Sequence, residues 1–174
     1  MTEELPPADE FSAAQQAIAK LQQELHEAFP WCPEYGIEGI VIGLAAGANT
    51  IITCDQAPLG DVYRLAKATT EAVQGSRTLT LAPSMTVGRV PADVLSDDIS
   101  FLVLHDISHF DGGFLSELGF VLGAGPCERR GVHVEHEFKE LTSLKAVFAT
   151  VDGADEQREA LAPLAQWFSV GFIL

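Results

Sequence analysis

Cysteine is scarce in this 174-residue sequence: Cys32, Cys54 and Cys127 are widely spaced and odd in number. That is poor material for a disulfide framework and suits reduced thiols in a cytoplasmic setting. Cations are scarce too, with ten Lys and Arg against twenty-five Asp and Glu, a formal net charge of −15. Binding to a phosphate backbone needs clustered Lys and Arg, so a nucleic acid polymer is not an expected partner. No apolar run approaches the ~20 residues that span a bilayer, and a membrane is not expected either. The opening "MTEELPPADE" lacks a basic region and an apolar one, so it does not read as a secretory leader. Also missing are a G-x-G-x-x-G turn after a strand, a Walker motif and a G-x-S-x-G elbow.

What is there is enough apolar material, 47% of residues, for one packed domain. "DEFSAAQQAIAKLQQELHEAF" reads as an amphipathic helix, and "PWCPEYG" breaks it. "IEGIVIGLAAG" and "NTIITCDQ" read as short β-branched runs separated by residues 43–49. "GDVYRLAKATTEAVQG" is a helix ending at Gly75, and "RTLTLAPS" a strand. "RVPADVLSDD" is a short helical turn, and "ISFLVLHD" a continuous apolar strand of the kind buried in parallel sheets. A helix over "GGFLSELGFVLGAG", strands at "RGVHVEHE" and "LKAVFATV", a helix at "DEQREALAPLAQWF" and an apolar tail "SVGFIL" complete the chain. This alternation predicts an α/β, doubly wound, flavodoxin-like and mostly parallel sheet with helices on both faces, plus an N-terminal helix. Residues 1–48 form the lead-in and 49–174 the core.

Ligands of such sheets bind at the carboxyl ends of the strands. "HDISHFDGG" occupies that position after the apolar strand, and Gly112 and Gly113 suit a sharp turn close to a ligand. Glu117 follows on a helix whose other residues are apolar nearly all round, so its carboxylate must be paired, capped or facing a cavity. Helix capping explains Asp111 and Glu117 one at a time. Two carboxyl groups on one binding-side junction also suit glycosidic chemistry, in which one attacks or stabilises C1 and the other handles protons.

Asp111, Gly113, Glu117 and Gly119 resemble the D-x-G-x-x-x-E-x-G signature of the nucleoside 2-deoxyribosyltransferase family. The resemblance covers roughly residues 49–134. It implies Glu117 as nucleophile at the anomeric carbon, Asp111 as its catalytic partner, and a second aspartate near the preceding strand, either Asp98 or Asp106. The family's first-strand loop is replaced here by "TCDQAPLGD", which makes Asp55 a substrate-binding candidate beside Gly112, Gly113, Asp106, His109 and Asp98. Tyr63 or Tyr35 would supply a phenol to orient the glutamate. The "ELG" helix is also similar to TIR-like nucleotide-binding domains, whose glutamate cleaves NAD, although their Asn-Val pair is replaced by "GGFLSELG".

The expected activity is therefore cleavage or transfer at the N-glycosidic bond of a small nucleoside or nucleotide, without metal or organic cofactor. His105, Asp106, His109 and Asp111 are dense enough to raise a metal site. However, His105 and Asp106 alternate sides if the strand continues, and hydrogen bonding to a substrate or site carboxylate is the preferred reading. Cysteine nucleophilia is disfavoured because nothing basic flanks Cys54 or Cys127. A nucleotide-sensing scaffold without turnover is the non-enzyme alternative. The apolar tail and N-terminal helix suggest a homo-oligomer.

Overall fold

The computed structural model describes residues 8–83, 98–115, 131–134, 137–140, 143–153 and 166–174. Helix α1 (Ala8–Ala28) is the amphipathic helix expected. It is followed by a second helix, α2 (Glu34–Ala45), where the β-branched run "IEGIVIGLA" reads as a strand. The spacing of its glycines explains the difference. Gly36, Gly39 and Gly43 share one helix face, and each stands where a side chain would collide. A Cβ on Gly36 would lie 2.6 Å from Leu174 Cδ2, one on Gly39 3.1 Å from the Phe172 ring, and one on Gly43 2.3 Å from Thr50 Oγ1. Close approach of α2 to the sheet overrides the strand propensity of Ile and Val.

Five parallel strands form the main sheet: β1 (Thr50–Cys54), β2 (Thr78–Leu81), β3 (Phe101–Leu104), β6 (Ala146–Asp152) and β7 (Val170–Ile173). Helix α3 (Leu59–Glu71) connects β1 to β2. The tail "SVGFIL" is thus the source of a fifth strand, paired with β1. Strands β4 (Gly131–Val134) and β5 (Glu137–Glu140) form a separate antiparallel pair, so the strand expected at "RGVHVEHE" lies, over residues 131–134, outside the main sheet. The helical turn expected at 89–98 lies almost wholly outside the described residues, as do most of the helices expected at 112–125 and 155–168.

The class is as expected: α/β, doubly wound and flavodoxin-like in its layering, with an N-terminal helix. Side chains alternate across each strand, and the two faces bury separate cores. Phe101, Val103, Ala146 and Phe148 pack with Ile52, Ile37, Ile40, Val62 and Leu65 under the three helices. Leu102, Leu104, Val147 and Ala149 pack on the other face with Ile107, Phe110 and Phe114, and with Trp167 and Phe168. The described part of the lead-in, residues 8–48, is therefore part of this packing, since Leu25, Cys32, Ile37 and Val41 belong to the helical-face core.

The strand order is β2-β3-β6-β1-β7. Counted along the chain within the main sheet this is 2-3-4-1-5, whereas flavodoxin itself runs 2-1-3-4-5. The chain leaves β1 toward one edge of the sheet and β6 toward the other, so the topological switch lies between β1 and β6. No helix among the described residues is long and apolar enough to cross a membrane.

Candidate functional site

The loop after β3 is pinned at both ends. His105 N–H donates to the Leu81 carbonyl at 2.9 Å and prolongs the strand pairing by one residue. Ile107 then drops fully into the core, and the rings of Phe110 and Phe114 stack at 4.6 Å. Between these anchors the backbone turns at Asp106, with φ 53° and ψ 70°. It is the one non-glycine residue with positive φ among the described residues. Aspartate tolerates that left-handed region better than most types, at a cost of roughly 1–3 kcal/mol. Gly112 and Gly113 do not supply the turn. Neither has positive φ, and both lie in the first helical turn after Asp111.

Asp106 is held by its surroundings. Its N–H donates to Thr150 Oγ1 at 3.2 Å, and Thr150 in turn donates to the Leu104 carbonyl at 3.3 Å. Its carboxylate accepts from Ser108 Oγ at 2.6 Å and meets His109 Nδ1 at 2.6 Å. The Asp106 side chain is 13% exposed and that of His109 60% exposed. The result is a buried carboxylate that orients an imidazole reaching solvent, a pair suited to moving a proton to or from a ligand.

Asp111 is engaged differently. Its Oδ1 accepts from the N–H groups of Gly113 (2.8 Å) and Phe114 (3.2 Å), which makes it the N-cap of the helix that follows. Glu117 lies outside the described residues, so its relation to Asp111 and Asp106 rests on the sequence motif. His105 turns away from the Asp106 pair and meets the Tyr63 ring edge-on at 4.8 Å. Among the described residues no three His, Cys, Asp or Glu side chains are placed to hold a metal ion.

Asp98 stands at the opposite end of β3 from Asp106, where both its carboxylate oxygens meet Arg77, at 2.8 and 3.1 Å. Of the two aspartates flanking the strand, Asp106 is the one at the carboxyl edge. Tyr35 donates to the Ile173 carbonyl at 3.3 Å and belongs to the β7 end of the sheet.

Asp55 borders the switch point. Gly153 N–H donates to the Cys54 carbonyl at 2.7 Å, and a Cβ on Gly153 would lie 3.2 Å from Asp55 Oδ1. The loops after β1 and β6 are thus in contact. Three successive N–H groups, of Asp55, Gln56 and Ala57, converge on the Leu174 carbonyl at 2.6, 3.0 and 3.3 Å. Cys54 lies beneath them. Burial, reinforced by the charges of Asp152 and Asp106, pushes its thiol up to about 12. Burial alone raises Cys32 to about 11. Neither supplies a thiolate at neutral pH. The sequence reading missed Thr150 and Gly153. Thr150 has no local signal, because only the pairing of β3 with β6 brings it to Asp106.

A cavity of about 820 Å³ lies at the other, amino-terminal edge of the sheet, between Leu21 of α1, Leu44 at the end of α2, Val73 after α3, and Phe101. It does not touch the Asp106 loop.

No family model matches the chain, and no curated protein matches it. Among solved structures it is similar to a chain in "Structure of Drosophila ORC bound to AT-rich DNA and Cdc6", with a TM-score of 0.45 and 12% identity. The alignment covers 99% of this chain and 34% of that one, so this chain spans about a third of its length. A likeness at that level assigns no activity.

Proposed function

We propose that this domain holds a nucleoside or nucleotide at the carboxyl edge of its sheet and breaks or transfers its N-glycosidic bond. The observation that supports this is the Asp106–His109 pair, a proton-handling group fixed at 2.6 Å on strained backbone where parallel sheets bind ligands. The ligand class comes from the resemblance of residues 111–119 to the deoxyribosyltransferase signature. In this reading a Glu117 carboxylate oxygen attacks C1′. The C1′–N bond breaks and its electron pair leaves with the base, which takes a proton from the His109 imidazolium. Water, or the N–H of a second base, then attacks C1′, the C1′–O bond of the glycosyl ester breaks to free the Glu117 carboxylate, and the proton released returns to His109. His109 here replaces Asp111 as the acid, because Asp111 Oδ1 is engaged by two helix amides.

A nucleotide-binding scaffold without turnover is the second reading. It is favoured by that same capping role. Base release from a panel of deoxynucleosides, deoxynucleotides and NAD separates the two, with wild type beside Glu117→Gln and His109→Ala. Release lost in both variants supports the glycosidic reading. Release unchanged in Glu117→Gln sinks it. Calorimetric binding of a panel member without release assigns the scaffold.

A further inference from the structure

Among the described residues, strand β7 is an edge of the main sheet. Val170 N–H donates to Asn49 and Leu174 N–H to Thr53, both on the β1 side. By the alternation of strand geometry, the main-chain groups of Gly171 and Ile173 face outward. Tyr35 of α2 donates to the Ile173 carbonyl at 3.3 Å, so the start of α2 borders this edge. Glu38 and Ile42 follow Tyr35 along the same exposed stripe of the helix, at three- and seven-residue spacing.

Among the described residues one outward acceptor of this edge, the Ile173 carbonyl, is taken by Tyr35, but the strand itself carries little protection. Residues 169–174, "SVGFIL", contain no charge and no proline, which are the devices that discourage strand pairing. Ile42 is 59% exposed, Tyr35 58% and Ile173 51%, the highest values among large hydrophobic side chains in the described residues. The charge on α2 is of one sign. No Lys or Arg occurs between Leu21 and Tyr63, while Glu34 and Glu38 stand exposed on α2.

We infer that the open edge of β7, with the exposed stripe of α2, takes an extended segment of a partner protein whose side chains alternate basic and apolar. Such a segment adds a strand beside β7 and forms main-chain hydrogen bonds with Gly171 and with the Ile173 N–H, the Ile173 carbonyl already accepting from Tyr35. Phe172 points toward α2, where a Cβ on Gly39 would meet its ring. Ile173 therefore points to the opposite face of the sheet. The alternation follows from this: on the α2 side the added strand meets Glu34 and Glu38, and on the other side it covers Ile173. A second copy of this chain is the poorer occupant, because self-pairing would bring two sets of Glu34 and Glu38 together in molecules already at −15.

The test measures binding of a capped heptapeptide alternating lysine and valine, with a glutamate–valine heptapeptide as control. Wild type is compared with Ile173→Pro, which removes an outward N–H, and with Glu34→Lys/Glu38→Lys. Each variant is first checked for a cooperative melt. The expected result is binding of the lysine peptide alone, weakened at least tenfold by either variant and by added salt. No binding of the lysine peptide, or equal binding of both peptides, overturns the inference. Loss in the charge variant but not in Ile173→Pro overturns strand addition. A dimer in sedimentation that Ile173→Pro dissolves gives this face to a second copy instead, which also overturns it.

Discussion

Replacing Thr150 by valine tests whether the turn at Asp106 is held from the sheet. Thr150 is fully buried, and its hydroxyl bridges the Asp106 N–H to the Leu104 carbonyl. Valine keeps nearly the same shape, so no cavity opens and packing stays as it is. What is lost is the partner of a donor inside the protein. An unsatisfied buried group costs about 1–3 kcal/mol, and the long 3.2 Å contact places the expected loss in the lower half of that range. With a urea slope of about 2 kcal/mol/M, the unfolding midpoint should fall by roughly 0.5–1 M. Because Asp106 sits on left-handed backbone, the loss should also reach the His109 imidazole, whose NMR resonances should shift. A midpoint within about 0.2 M of wild type, together with unmoved His109 resonances, would refute the claim that Thr150 fixes the site.

Other substitutions and conditions test separate contacts. Gly43→Ala should destabilise by about 1–3 kcal/mol in urea melts, because the added Cβ would lie 2.3 Å from Thr50 Oγ1 between α2 and β1. Asp111→Ala should cost about 0.5–2 kcal/mol as a lost N-cap, while Asp111→Asn should retain most of it; equal loss in both would mean that charge rather than capping matters there. Stability should fall at alkaline pH. The Cys54 thiol ionises near 9 when unfolded but holds its proton to about 12 when folded. Its contribution is therefore complete below pH 9 and is lost as pH rises from 9 toward 12. Cys54→Ala should flatten that part of the stability–pH curve, and a slope unchanged by the substitution would contradict the burial described.

The layered fold was legible because β1, β2, β3 and β6 carry β-branched or apolar runs bounded by Gly and polar residues. Residues 37–45 were not, because the composition of "IGLA" and "GIVI" favours strand and only the spacing of Gly36, Gly39 and Gly43 speaks for a helix. The strand β7 was hidden in an uncharged tail whose pairing with β1 is set by tertiary contact alone. Strand order was equally out of reach, since no local pattern says that β6 inserts between β3 and β1. At the site, the loop after β3 was legible from one apolar strand ending in His-Asp. The division of labour among its aspartates was not. Asp106, Asp111 and Asp98 are the same residue type within one short stretch, yet one orients a histidine, one caps a helix and one pairs with Arg77.

The position of β1 in the sheet has a consequence for how the chain is made. Thr50 pairs with Phe148 on one side and Val170 on the other, so both neighbours of β1 lie about a hundred residues further along the chain. During synthesis "TIITC" waits, with both its edges unsatisfied, until β6 and β7, about a hundred residues later, have emerged. Long-range parallel pairing of this kind slows folding and leaves strands exposed to wrong partners. The vulnerable interval for this protein is therefore its assembly, when a chaperone protecting the first strand would matter most.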